Sequence, residues 1–185
     1  MTNVRTFKKD LTTIRRLWAD TQFSEALAKV EGLRGEYPGN PQLLVIWASL
    51  VQLVEESEHS LDDAREALRQ AVEFDESSPA ASIELGHFLD SVEDDPTAAS
   101  KAYSQAASAA KKLLIDVLAG QAKSYLQLNR RADAVRCLLE ALQVSNLDCP
   151  SMNGKSTKSS HDAPIPAQLE SLLNEALVEV ALKAD

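Results

Sequence analysis

Apolar residues recur along this chain at helical spacing, and polar segments interrupt them. Positions three and four apart share one face of a helix, so such runs predict amphipathic helices. Polar turns at 19–26, 55–64, 91–99 and 127–134 each separate an apolar run from a second helical segment. The pattern predicts an all-α chain made of helix–turn–helix pairs. The first helices of the later pairs are indicated by three apolar stripes: Leu43, Leu44, Trp47, Leu50, Val51 and Val54; Ile83, Leu85, Phe88 and Leu89; and Leu114, Leu118, Ala122 and Tyr125.

A small–large–small triplet marks the second helix of each pair. Ala99, Tyr103 and Ala106 stand at offsets of zero, four and seven, which places them on one helix face. Small residues allow a neighbouring backbone to come close, and the large residue fills the groove between helices. The lead alanines are 38 (64 − 26), 35 (99 − 64) and 35 (134 − 99) residues apart, which predicts a repeat array. The other copies are Ala26–Val30–Leu33, Ala64–Leu68–Ala71 and Ala134–Leu138–Ala141.

Gly and Pro mark the junctions between successive pairs, at YPGNP (37–41) and FDESSP (74–79). The segment 74–86, FDESSPAASIELG, resembles the junction of the tetratricopeptide repeat family, with Leu85–Gly86 in place of that family's Leu–Gly. The triplet at Ala99 is similar to the family's Ala, aromatic and Ala. Acidic–Ala pairs that open second helices are also similar, at Glu25–Ala26 and Asp133–Ala134. The resemblance implies a right-handed superhelical solenoid of antiparallel helix hairpins.

Four units are expected within a repeat domain at 1–147, near 7–40, 41–78, 79–114 and 115–147. The chain departs from the family pattern at Glu76, where a proline is expected, and in about four extra residues around Glu55–Ser60. We expect the first unit to have the least certain boundaries, because its first helix carries the weakest pattern.

The composition changes after Leu147. Residues 148–166 are rich in Ser, Pro, Gly and Lys and predict a flexible linker. Residues 167–185 repeat apolar positions at helical spacing and predict an amphipathic helix. A helix that caps the apolar end of the solenoid is one interpretation. Occupation of the groove by this helix, or pairing with a second molecule, is the other.

Composition and charge narrow the class of protein. The 185 residues are 44% hydrophobic and 25% charged, as in soluble globular proteins. The formal net charge of −9 argues against nucleic acid as the partner, and no apolar run reaches the roughly 20 residues of a membrane span. With no secretory signal pattern and only two cysteines, Cys137 and Cys149, a cytoplasmic location is predicted.

The chain carries no pattern typical of catalysis. His59, His87 and His161 lack metal-ligand spacing, the cysteines form no CxxC motif, and no phosphate-binding glycine motif is present. The acidic pairs Asp62–Asp63 and Asp94–Asp95 precede second helices, where carboxylates cap the helix N-terminus. We therefore predict a protein that is not an enzyme and that needs no cofactor or metal.

The predicted function is protein binding. In the resembled family the first helices line a concave groove that holds a peptide or helix. Residues 73–95 carry eight acids and no Lys or Arg, which indicates either a solvated face or a surface for a basic partner. A clamp for a partner's C-terminal carboxylate is not expected, because Glu84 would repel it. The positions expected to line the groove are Arg15, Trp18, Ser49, Gln52, Glu84, His87, Asp90, Lys123 and Gln127.

Two hypotheses remain open at this point. The first is a non-catalytic interaction module, scaffold or client-binding chaperone. The second is a structural homo-oligomer, such as a homodimer, organised through the C-terminal helix or an uncovered solenoid edge. For Trp18, a position in the core is the alternative to a position in the groove, since a tryptophan on a first helix can also pack in the core.

The triplet yields a prediction about stability. Ala99→Leu should overpack the contact between helices and lower the free energy of unfolding by roughly 1–3 kcal/mol. Denaturant titration of the two proteins measures the difference. Unchanged stability would show that the triplet is not a packing face.

Overall fold

The computed structural model describes residues 4–146 and 169–174, and these ranges form helices and turns without a strand. The all-α fold class is thereby confirmed. Residues 169–174 form an eighth helical segment, α8. The first seven helices are α1 (Val4–Ala19), α2 (Phe23–Glu36), α3 (Pro41–Val51), α4 (Leu61–Phe74), α5 (Pro79–Ser91), α6 (Pro96–Gln127) and α7 (Arg131–Ser145).

The chain forms two compact units, residues 1–106 and residues 107–185. In the first unit each helix packs on the next one along the chain, and α3 also contacts α5. This order of contacts is that of helix hairpins stacked in series, in which first helices lie beside first helices. The first unit is therefore a helical-repeat structure.

The small–large–small triplets are buried as predicted. Ala26, Ala64 and Ala134 have no exposed surface, and Ala99 is 2% exposed. The large central residues Val30, Leu68 and Leu138 are equally buried, whereas Tyr103 is half-buried. The triplets therefore mark helix faces that pack against neighbours, and Trp47, predicted to be core, is also buried.

The ring of Tyr103 lies directly on Gly86 of α5. A Cβ added at Gly86 would stand 2.6 Å from Cε1 of Tyr103 and 2.8 Å from Cδ1, far inside van der Waals contact. Only glycine leaves room for the ring at this place. The Tyr103 hydroxyl reaches Nδ1 of His87 at 3.1 Å, so the tyrosine is held at both its face and its tip.

The turns within three hairpins repeat one backbone conformation. Thr21, Asp94 and Asn129 have φ values of 58°, 51° and 56°, in the left-handed region, and each lies five residues before a lead alanine. The Thr21 and Asn129 turns have the same hydrogen-bond pattern. The Gln22 N–H donates to the Leu17 carbonyl, and the Arg130 N–H donates to the Tyr125 carbonyl. The hairpin turn thus recurs together with the triplet.

Side chains cap three helix N-termini. Asn40 Oδ1 accepts from the Leu43 N–H at the start of α3. At α4, Ser60 and Asp63 exchange hydrogen bonds in a capping box, which lowers the pKa of the Asp63 carboxyl. At α6, Asp95 Oδ1 accepts from the N–H groups of Thr97 and Ala98. Capping by Asp63 and Asp95 agrees with the sequence analysis.

The helix α6 extends further than the repeat pattern suggested. The expected border between the third and fourth units, at 114–115, falls inside this helix, and no turn interrupts it between Pro96 and Gln127. The segment 97–119 contains neither Gly nor Pro, so nothing local ends the helix. The division into four units stays a prediction.

The second unit has its own core. Leu118, Ala119 and Ala122 of α6 pack with Ala134, Cys137, Leu138 and Ala141 of α7, and Leu169 of α8 is buried among them. Residues 148–166, Cys149 and His161 lie outside the described residues, as do 167–168 and 175–185 of the expected C-terminal helix.

A glycine pair offers a test of the Gly86–Tyr103 contact. Gly86→Ala should lower the free energy of unfolding by roughly 1–3 kcal/mol, because the new methyl group collides with the Tyr103 ring. Gly32→Ala, within α2 and with open space at its Cβ, should raise it by about 0.5–1 kcal/mol. Chemical denaturation measures both. Equal gains from the two substitutions would contradict the contact.

Candidate functional site

A cleft of about 730 Å³ opens on the first helices of the first unit. Its apolar wall comes from α1 and α3, with Ile14 and Trp18 on one side and Val45 and Ile46 on the other. This volume lies in the range of ordinary ligand-binding clefts. The complete lining is Ile14, Arg15, Trp18, Ala19, Asn40, Pro41, Gln42, Val45, Ile46, Asp75, Ser78, Ala80 and Ala81.

The starts of α3 and α5 bring main chain and small side chains to the cleft. Pro41 and Pro79 occupy first-turn positions, where a missing N–H costs no helical hydrogen bond. Because α5 begins there, Ala80 and Ala81 lie in its first turn and line the cleft with only methyl groups. Small residues at this place leave the space open.

The polar groups of the cleft differ in whether they already have hydrogen-bond or ion-pair partners. Asp75 Oδ1 already accepts from Ser77 Oγ at 2.7 Å and from the Ser78 N–H at 3.1 Å. Asn40 Oδ1 caps α3. Arg15 is exposed, and its guanidinium has no hydrogen-bond or ion-pair partner among residues 4–146 and 169–174. Of the two charged residues that line the cleft, Asp75 therefore has hydrogen-bond partners and Arg15 has none in those ranges.

Two of the predicted groove residues, Arg15 and Trp18, lie together in this cleft. Ser49 and Gln52 do not line it. The Ser49 hydroxyl donates to the carbonyl of Val45, and Gln52 Nε2 donates to the carbonyl of Ala48, so both bind their own helix.

The remaining predicted positions also lie outside this cleft. On α5, Glu84 is half-buried, Asp90 is exposed, and His87 is engaged by Tyr103. Lys123 and Gln127 are exposed on α6, in the second unit. Sequence reasoning missed the turn residues Asn40, Asp75 and Ser78, which periodicity does not report. The available signal for Asn40 and Ser78 was their position directly before a helix-starting proline, and Asp75 had no such signal.

A second polar cluster surrounds Trp47 on the side of α2 and α4. The Arg34 guanidinium lies 4.1 Å from the ring centroid of Trp47, and the His59 ring lies 4.9 Å from it. Glu31 Oε1 contacts His59 Nε2 at 2.5 Å and accepts from Trp47 Nε1 at 3.4 Å. Burial lowers the pKa of Arg34, and Glu31 opposes that shift. Through His59, the longer turn of the second hairpin therefore packs against α2 and α3.

In the described part of the chain, no three or more His, Cys, Asp or Glu side chains converge as metal ligands would. Across those same residues, no helix combines the length and the apolar character needed to cross a bilayer.

Comparison with known proteins gives limited matches. No family model matches the chain. A 63-residue segment is 41% identical to a Myxococcus xanthus protein described as an uncharacterized 18.1 kDa protein in the carS 3' region. That segment is 34% of this chain and 37% of the relative, so the match spans little more than a third of the relative's length. The crystal structure of MamA protein is similar with a TM-score of 0.45 at 17% identity, covering 75% of this chain and 72% of that one.

Proposed function

We propose that this protein is a non-catalytic interaction module, and that the cleft between α1, α3 and α5 holds an apolar segment of another protein. The observation that carries the proposal is a preformed apolar cleft with one unsatisfied cation at its edge. A tetratricopeptide-like architecture and a cytoplasmic location belong to the same proposal. The family resemblance of segment 74–86 and the triplet supports that architecture.

The apolar part of the cleft supports binding of a side chain rather than of water. Trp18, Val45 and Ile46 are each only partly buried, so a partner side chain can cover what they still expose. Burial of apolar surface stabilises a complex by roughly 25 cal/mol per Å² before the costs of association. A cleft that exists before binding lowers the ordering cost on this side.

The charge of the cleft favours an acidic residue in the bound segment. Arg15 lies one helical turn from Trp18, so a carboxylate that pairs with Arg15 would sit beside an apolar side chain packed on the indole. Asp75 also lines the cleft, and the hydrogen bonds to its Oδ1 do not cancel its charge, so the acidic residue of the segment is expected beside Arg15 and away from Asp75. We therefore infer an apolar segment with an adjacent Asp or Glu, in place of the basic partner that residues 73–95 suggested.

Selection from a phage-displayed library of random 12-residue peptides tests this inference. Peptides enriched on the wild-type protein should combine two or three large apolar residues with Asp or Glu. Arg15→Glu should weaken a selected peptide by about tenfold, the size of one reversed, partly exposed ion pair, and should enrich Lys or Arg instead. Fluorescence anisotropy of labelled peptides measures the affinities.

Arg16→Glu is the matched control. It makes the same charge change one residue away, on an exposed position that does not line the cleft. It should leave both the enriched sequences and their affinities unchanged. Absence of any enriched peptide, or equal losses from the Arg15 and Arg16 variants, would refute the proposed site.

A further inference from the structure

The middle of α6 presents an apolar face that is exposed and does not take part in the core formed by the described residues of the second unit. Leu113, Leu114 and Val117 are 52%, 43% and 58% exposed. Leu118, Ala119 and Ala122 of the same helix segment lie on the side away from Leu113 and Val117 and are buried against α7. Adjacent large apolar residues exposed on one helix are typical of a surface that another protein element covers.

A glycine lies within this face. Residues 113, 117, 120 and 124 stand at offsets of zero, four, seven and eleven, so they follow one line along the helix. A Cβ at Gly120 would meet nothing within 4 Å, so this glycine is not required by packing inside the described chain. It leaves a notch in the surface next to the projecting Val117.

Opposite charges flank this face at matched positions on one side of it. Asp116 and Lys123 are both exposed, and neither has a hydrogen-bond or ion-pair partner within the two described ranges. They are seven residues, about 10 Å, apart along the helix, so they are not the nearest neighbours that form i,i+4 pairs.

We propose that two copies of this chain associate through the middle of α6, with the two helices antiparallel. Residues lie opposite one another in an antiparallel pair when their numbers add to a constant. One register, with a sum near 237–239, places Val117 opposite Gly120 of the second copy and Asp116 opposite Lys123 of the second copy. It also places Leu113 opposite Ser124 of the second copy. Two-fold symmetry forms every one of these contacts twice.

The occupant is a second copy because the face is complementary to itself. A projecting Val117 and the Gly120 notch lie three residues apart on one helix, so each copy supplies both halves of the same contact. The flanking charges likewise pair only when the second helix runs in the opposite direction. This surface shares no residue with the cleft of the first unit, so the proposal stands independently of the proposed peptide.

Sedimentation velocity of the full chain over a range of concentrations tests the dimer. Gly120→Leu should raise the dimer dissociation constant by at least about tenfold, because the new side chain fills the notch that receives Val117. The same change should preserve or raise the thermal midpoint of the monomer, because Leu is a better helix former than Gly. Leu139→Lys, at a leucine 51% exposed on α7, is the control and should leave the dimer unchanged.

Charge reversal tests the antiparallel register separately. Asp116→Lys alone and Lys123→Asp alone should each weaken the dimer about tenfold, since each places like charges opposite one another. The double variant should return to within about threefold of the wild type, because the pair is restored across the copies. The circular dichroism spectrum of the monomer should be the same for all these variants, because the substitutions are on exposed positions of an intact helix.

Three outcomes would overturn the proposal. A monomer at every concentration would show that another protein, or the rest of this chain, covers the face. A dimer that Gly120→Leu leaves intact would place the interface elsewhere. A double charge variant as weak as the single ones would exclude the antiparallel register.

Discussion

The close approach of neighbouring helices at alanine and glycine positions determines the rest of the first unit. Ala26, Ala64 and Ala99 are buried almost completely, and Tyr103 lies on a Gly86 that no larger residue could replace without movement. Packing at this density leaves little freedom in the distance between helices. The first helices α3 and α5 are thereby held in contact, and residues of α1, α3 and α5 line the cleft.

The sequence predicted which residues are buried better than it predicted where the chain turns. The triplets report which helix face contacts a neighbour, and all four lead alanines are buried. A period of 35 residues, however, carries no information on whether the chain turns between two repeats. That depends on local residues that end one helix or start the next, such as Gly39 in the turn and Pro41 in the first turn of α3. The stretch around residue 114 has no such residue, so α6 continues through the expected border.

The candidate site was only partly predictable for a related physical reason. Helical register predicts Arg15 and Trp18 side by side, because they lie on one helix a single turn apart, and both line the cleft. The opposite wall depends on where α3 and α5 begin, and therefore on caps such as Asn40 and on turn residues such as Asp75. Ser49 and Gln52 show a further limit, since their side chains turn back onto backbone carbonyls of their own helix.

The two proposed surfaces differ in what they ask of a partner. The cleft is concave and carries one unpaired cation, so its proposed partner is an apolar segment with an acidic residue, which the cleft itself could not supply. The proposed α6 face contains a projecting Val117, the Gly120 notch and charges of both signs, so its partner would be the same face of a second copy. The proposed dimer would contain two copies of the cleft, and each copy could bind one such segment.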